Sequence, residues 1–229
     1  MSEIWNNLIQ IQDYLISSFE RTGTEIHEDG MNKFNHGNWI NRVGTSDNYR
    51  RAHIDIVDAR DTKGLWMMHC CVFPHVTNPG PIFGFDVVAG RNKMTGAFHD
   101  FSPTIDHEHL MIKVFGNYVS DLNWKKQREL PDWAKAIFSE YMVAAGNVTS
   151  IEETSQVSEM VKDNIDYYIN EIGNYNNICE EIHGITSQNH YAYHQKQNPH
   201  TPKTMTSLGL NEDEVKEFVD VCLFPDIKI

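Results

Sequence analysis

Near the amino terminus apolar side chains recur at Ile4, Trp5, Leu8, Ile11, Leu15 and Phe19, the spacing of one helical face. This pattern predicts an amphipathic helix. Between Thr22 and Asp47 the chain turns polar, with four glycines, and the apolar period shortens to two. Strands are predicted at about 36 to 42, 48 to 58, 64 to 74, 81 to 89 and 94 to 101. The turn residues Asp61-Thr62-Lys63-Gly64 and Gly90-Arg91-Asn92 separate them by hairpin-sized gaps, so the runs read as an antiparallel meander.

Helical signals return after Thr104. Pro131 opens a segment that reads as helix through Ala144. Ser150-Ile-Glu-Glu153 is a capping box, in which hydroxyl and carboxylate each satisfy a free backbone NH, and predicts a long helix toward Glu181. The His- and Gln-rich stretch Ile182 to Lys203 reads as looser chain. Asn211-Glu-Asp-Glu214 caps a last helix that ends near Leu223-Phe224. With no repeat, low-complexity tract or linker, residues 1–229 form one domain. A helix, then strands, then helices is an α+β order: an antiparallel sheet covered by helices on one or both faces.

Charge narrows the function. The 19 Lys+Arg against 32 Asp+Glu give a formal net charge of −13, which opposes binding to a nucleic acid, whose affinity rests on Lys and Arg at phosphates. The longest uncharged stretch, Leu65 to Phe85, holds two His, an Asn and three prolines, so it predicts no membrane span. The start Met-Ser-Glu-Ile-Trp-Asn-Asn has neither a basic nor an apolar export segment, and a cytoplasmic protein is expected. Cys70, Cys71, Cys179 and Cys222 fall in no paired or zinc-like spacing and read as buried thiols of a reducing compartment.

Polar residues stand out in three of the strands. In the second strand Ala52, Ile54 and Ile56 share one face, and Arg51, His53 and Asp55 the other. His69 is the single polar side chain in Leu-Trp-Met-Met-His-Cys-Cys-Val-Phe, and Asp86 the single charge in Pro-Ile-Phe-Gly-Phe-Asp-Val-Val-Ala. A buried carboxylate costs several kcal/mol unless paired, and the usual escape is a raised pKa that keeps it protonated and able to donate. Neighbouring strands can bring Asp55, His69 and Asp86 together on one concave face; a hydrogen-bonded structural cluster is the competing reading. His99-Asp100 and His107-Glu108-His109 lack metal-ligand spacing and read as surface residues, so no metal is expected. There is no GxGxxG, P-loop or GxSxG motif.

The segments Met68-His-Cys-Cys-Val-Phe-Pro74 and Pro81-Ile-Phe-Gly-Phe-Asp-Val-Val-Ala-Gly90 resemble the ferredoxin-dependent bilin reductases. The resemblance continues through Asp100-Phe-Ser-Pro-Thr104, Gln127-Arg-Glu-Leu-Pro131, Phe138-Ser-Glu-Tyr141 and Asn147-Val-Thr149, from about Arg51 to Leu223-Phe224. Within the family the chain looks most like the phycocyanobilin:ferredoxin oxidoreductase lineage. The resemblance implies a three-layer α/β/α sandwich with biliverdin between a central antiparallel sheet and the carboxy-terminal helices. It also implies no bound cofactor, with electrons taken singly from a reduced 2Fe–2S ferredoxin and carried through substrate radicals. Plant-type ferredoxins work near about −400 mV, low enough to reduce a protonated tetrapyrrole.

By resemblance Asp86 is the central acid beneath the pyrrole nitrogens, and His69 hydrogen-bonds the substrate and shuttles a proton. The family's phycocyanobilin-forming members carry a glutamate where this chain has Asp55, in His53-Ile54-Asp55, and that glutamate serves reduction of the D-ring vinyl group. Asp55 reaches about 1 Å less far, a displacement that can cost orders of magnitude in rate. This departure implies reduction at the 15,16 bridge and A-ring diene instead, giving phycoerythrobilin, as in a phage-encoded branch of the lineage. The chain would then act in the host cytoplasm. Phycocyanobilin formation and a non-catalytic bilin carrier, for which Cys71 would offer a thiol, are the alternatives. His53 and Thr95 are expected on the substrate side, Arg128 at a propionate, and Asn198 with His200 or Lys203 in a loop above the substrate. Ferredoxin is acidic, so a monomer docking it needs a local basic patch drawn from Arg50, Arg51, Arg91, Lys93, Lys125 and Lys126.

Overall fold

A computed structural model describes residues 3–35, 37–175 and 178–228. Helix α1 (Glu3–Thr22) buries Ile4, Leu8, Ile11 and Leu15, the stripe its spacing requires. Seven strands build one sheet: β1 (Thr24–Ile26), β2 (Trp39–Thr45), β3 (Tyr49–Ala59), β4 (Leu65–Pro74), β5 (Ile82–Gly90), β6 (Lys93–Ser102) and β7 (Val143–Val148). Their spatial order is their sequence order, and every neighbouring pair is antiparallel. The meander expected of five strands therefore gains one at each edge. The expected start of the first strand, at His36, lies outside the described residues. Between β3 and β4 three of the expected turn residues join Arg60 in a single helical turn, α2 (Arg60–Lys63), closed by the fourth, Gly64, at φ +61, a left-handed conformation that favours glycine.

The sheet is covered on both faces. On one, Ala52, Ile54, Ile56, Met68, Phe83 and Phe85 meet α1, α3 (Leu110–Ser120) and α5 (Ile151–Glu171) in the larger core. A fully buried aliphatic or aromatic side chain contributes about 1.5–3 kcal/mol, so this dry face dominates stability. On the other, α6 (Glu181–Gln195), α7 (His200–Ser207), α8 (Glu212–Glu217) and a π-helical turn, Phe218–Leu223, form a second core with Trp39, Val57, Met67 and Phe73. The result is an α+β, three-layer sandwich.

Four expectations for the carboxy-terminal half are corrected. The segment from Pro131 to Ala144 is not one helix: α4 spans only Asp132–Lys135, and Val143 begins β7. The reason is Asp100, which accepts from the Ser139 backbone N–H at 2.9 Å and from the Ser139 hydroxyl, pinning a turn there. The small residues of β7 leave room for segment 126–128, which pairs along its outer edge through Arg128 N–H to Ala144 O and Gly146 N–H to Lys126 O, both 2.8 Å. The long helix expected toward Glu181 ends at Glu171, and the stretch expected to be loose is α6 followed by α7. Of the two capping boxes, Asn211 and Glu214 exchange both bonds at 3.0 Å. At Ser150 the hydroxyl accepts from Glu153 N–H, but the Glu153 carboxylate instead accepts from Lys125 N–H at 2.8 Å.

Candidate active site

The register of β3, β4 and β5 sets Asp55 opposite His69 and His69 opposite Asp86. Directly opposite residues of antiparallel strands share a face, so the three form one row across the sheet, turned toward the carboxy-terminal helices. Over β4 to β6 lies a cavity of ≈ 350 Å³ roofed by α4, α6 and the 198–204 segment, within the range of small-molecule sites. His69, Asp86, Thr95, Arg128, Asn198 and His200 line it. Asp55, His53 and Lys203 do not: the first two are buried beneath the second core, and Lys203 is exposed on α7. The segment expected as a loop above the site is thus partly helical, with Asn198 Oδ1 accepting from His200 N–H at 3.0 Å just ahead of α7.

Burial sets the protonation of the row. It pushes the Asp86 carboxyl up to about 7. Asp55 is also pushed up to about 7 by burial, against the pull of a 2.6 Å hydrogen bond from Trp39 Nε1 and with the charge of Asp86 adding to the rise. His69 moves the other way, down to about 4, because burial and then the Arg51 cation disfavour its charged form. His53 falls well below its usual range through burial, Arg51 and His69, while its Nε2 lies 2.9 Å from Asn41 Oδ1. Near neutral pH the row therefore sets a neutral imidazole between two carboxyls poised to give or take a proton, with His69 and Asp86 reaching the cavity.

Arg128 lies across Gly146 and over the Phe98 ring, with its guanidinium donating to Thr95 O. Among the described residues it makes no salt bridge, leaving a cation at the cavity wall. The Thr95 hydroxyl is spent on Val88 O at 2.9 Å, at the β5–β6 bulge.

The expected surface residues around position 100 are buried. His99 sits among Phe83, Phe85, Phe101 and Phe115, donates Nδ1–H to Gly84 O at 2.7 Å, and is pushed down to about 4 by burial. Asp100 is pushed up to about 6 by burial although Ser139 and Ser102 donate to it. His109 is also buried, with Nδ1 accepting from Met111 N–H at the start of α3, whereas His107 and Glu108 are exposed. Two strand residues and a helix cap look, in sequence, like a polar surface cluster because their partners are distant. Among the described residues no group of three or more His, Cys, Asp or Glu is placed to hold a metal ion, and no helix is long and apolar enough to cross a membrane. Of the expected docking cations, Arg51 is buried, pairing Glu28 at 2.8 Å and donating to Cys222 O at 2.8 Å. Arg50 bonds Gln188 at 2.8 Å and stacks over Phe73.

The family model described as ferredoxin-dependent bilin reductase matches residues 2–225. The chain belongs to this family. It is 26% identical over 162 residues to the phycocyanobilin:ferredoxin oxidoreductase of Trichodesmium erythraeum, covering 69% of this chain and 64% of that protein. To the enzyme of the same name from Synechococcus elongatus it is 34% identical over 107 residues, 44% of this chain and 40% of that one. The chain thus spans less than two thirds of the length of these curated relatives. The solved structure of a protein named PcyX is similar at 35% identity and a TM-score of 0.74, covering 96% of this chain and 99% of that one. Phytochromobilin synthase from tomato, solved in complex with biliverdin, shares the fold at a TM-score of 0.75 and 16% identity, over 93% of this chain and 82% of that one.

Several cavity residues carry little signal in the sequence. Trp133 and Phe138 roof the site from around α4, and an aromatic on an expected helix reads simply as core. Tyr191 and Gln195 face the cavity from α6; their spacing of four was a helical cue within a stretch whose polarity obscured it.

Proposed function

We propose that the protein reduces biliverdin IXα to phycoerythrobilin by way of 15,16-dihydrobiliverdin, with reduced ferredoxin as electron donor. The reaction takes four electrons, delivered singly, and four protons. The observation that carries this reading is the row Asp55, His69, Asp86, whose last two members line a cavity of ≈ 350 Å³. Asp86, near its midpoint at neutral pH, donates to the substrate as an electron arrives, and neutral His69 passes protons along the row. Arg128 holds a propionate by charge-assisted hydrogen bonds, while Asn198 and His200 close over the opposite side.

Product choice rests on Asp55. Its carboxylate is one methylene shorter than the glutamate of phycocyanobilin-forming relatives, it is tied to Trp39 at 2.6 Å, and it stands off the cavity. It is therefore out of place to protonate a D-ring vinyl group. Ferredoxin approaches the sheet edge at β7, where Lys93 bonds Asn147 and Lys126 runs beside Gly146, next to Arg128 at the cavity. The protein works as a monomer in a cytoplasm that supplies reduced ferredoxin.

The test is anaerobic incubation with biliverdin and a ferredoxin-reducing system, with absorbance and chromatography of the product. Phycoerythrobilin supports the proposal. Phycocyanobilin would show that Asp55 still serves the D ring, and unchanged bound biliverdin would make the protein a carrier. In the same assay Asp55→Glu should yield a measurable fraction of phycocyanobilin; an unchanged product would move product choice to the segment at Asn198.

A further inference from the structure

Beside the acid–base row a second chain of polar groups runs from α6 to the sheet. Gln195 Nε2 donates to the Tyr191 hydroxyl at 2.7 Å. That hydroxyl lies 3.8 Å from Cys71 Sγ, and Cys71 Sγ lies 3.4 Å from His69 Nε2. The two middle members are enclosed: Tyr191 is 2% and Cys71 1% exposed. Cys71 is two residues beyond His69 on β4, so the strand's alternation puts both on the cavity face. His69 Nδ1 is buried and has no hydrogen-bond partner.

The direction of this chain follows from its ends. The Gln195 amide nitrogen can only donate, so the Tyr191 oxygen receives a proton's contact from outside and has its own O–H to give inward. The inward acceptor is Cys71 sulfur. Burial pushes the Cys71 thiol up to about 12, so it remains S–H, and His69 Nε2 is an acceptor within its reach at 3.4 Å. The reverse arrangement, with Nε2–H donating to sulfur and S–H to Tyr191, would give the tyrosine oxygen two donors and leave its own proton unplaced.

We propose that Cys71 is a positioning residue: its thiol, oriented by Tyr191 and Gln195, donates to His69 Nε2 and holds the neutral imidazole as the Nδ1–H tautomer. Nε2 then carries the lone pair that receives and returns a proton, while the proton on the buried, unpartnered Nδ1 stays in place. A histidine that passes protons must start each cycle with the right nitrogen protonated; a wrong tautomer at a general base can cost about 10⁴-fold in rate. This role rests on the proposed reductive chemistry for its use, but not for its existence.

The test is the ¹⁵N NMR spectrum of imidazole-labelled full-length protein without substrate, with the His69 signals identified by their loss in His69→Gln. Wild-type His69 should show a protonated Nδ1 and an unprotonated Nε2. Cys71→Ala should lose that preference, and Cys71→Ser, which restores a donor at the same place, should recover it. Tyr191→Phe, which removes the outer donor without altering the sheet, should also weaken it. A wild-type proton on Nε2, or an unchanged tautomer in both Cys71→Ala and Tyr191→Phe, would overturn the proposal. In turnover with ferredoxin, Cys71→Ala should be slowed at least roughly tenfold, the low end of what a general acid–base group contributes being about 10². Wild-type protein that binds biliverdin without reducing it would remove the proposed function and leave the tautomer result standing.

Discussion

At the scale of single residues, Asp86 combines an ionisable group with a protein surround that disfavours its charge. Asp86→Asn keeps the shape and removes the proton, so bilin binding should persist while turnover falls by about 10²–10⁴-fold. Electron paramagnetic resonance of the reduced mixture should then show a substrate radical that accumulates; wild-type turnover would exclude the assigned role. The same substitution has a thermodynamic signature. Folding raises the Asp86 pKa from 3.8 to about 7, so between those values the native state binds more protons than the unfolded chain, and stability falls as pH rises. Asparagine escapes that loss. Its stability advantage over Asp86 should widen between about pH 4 and 7, reach about 4 kcal/mol, and level off above pH 7. Chemical denaturation across that range measures it, and an advantage independent of pH would mean that Asp86 is ionised in the folded protein. His53, His69 and His99 act oppositely, since a folded pKa lowered below the usual histidine value adds stability as pH rises through the acid range.

At the scale of elements, the cavity roof depends on one turn. Asp100 on β6 holds Ser139 by backbone and hydroxyl, and the segment just before Ser139 supplies Trp133 and Phe138 to the roof. Ser139→Ala removes one donor from a buried carboxylate, which should cost about 1–3 kcal/mol of stability. It should also raise KM for biliverdin more than it lowers kcat; an unaltered KM would show that the roof stands without this anchor. The same turn explains where sequence reading stopped. The five central strands and the row of Asp55, His69 and Asp86 were legible because alternation is local and a lone polar residue in an apolar strand stands out. β7 was not, because Val-Ala-Ala-Gly has the composition of a helix and becomes a strand only through pairing with β6 and segment 126–128. The roof helices α6 and α7 were obscured by polar faces that line a cavity rather than a dry core. Likewise Arg51 looked like a surface cation until Glu28 and the Cys222 carbonyl enclosed it.

Over the whole molecule, a net charge of −13 repels an acidic electron donor except where cations gather. Lys93, Lys126 and Arg128 gather at the β7 edge. Reversing the first two, Lys93→Glu with Lys126→Glu, should raise KM for ferredoxin at low ionic strength by about tenfold, and added salt should shrink the difference as screening removes both attraction and repulsion. Salt-independent kinetics in the variant would place docking elsewhere. The meander itself has a further bearing. Because each strand pairs with its neighbour in the chain, the floor of the site is complete once two consecutive hairpins have closed, with little loop entropy to overcome. The helices above it come from a part of the chain synthesised much later. Floor and ceiling are thus separable in time and in sequence: substitutions in the late-arriving helices can reshape how a pigment sits while the proton-handling row, already folded, is left intact.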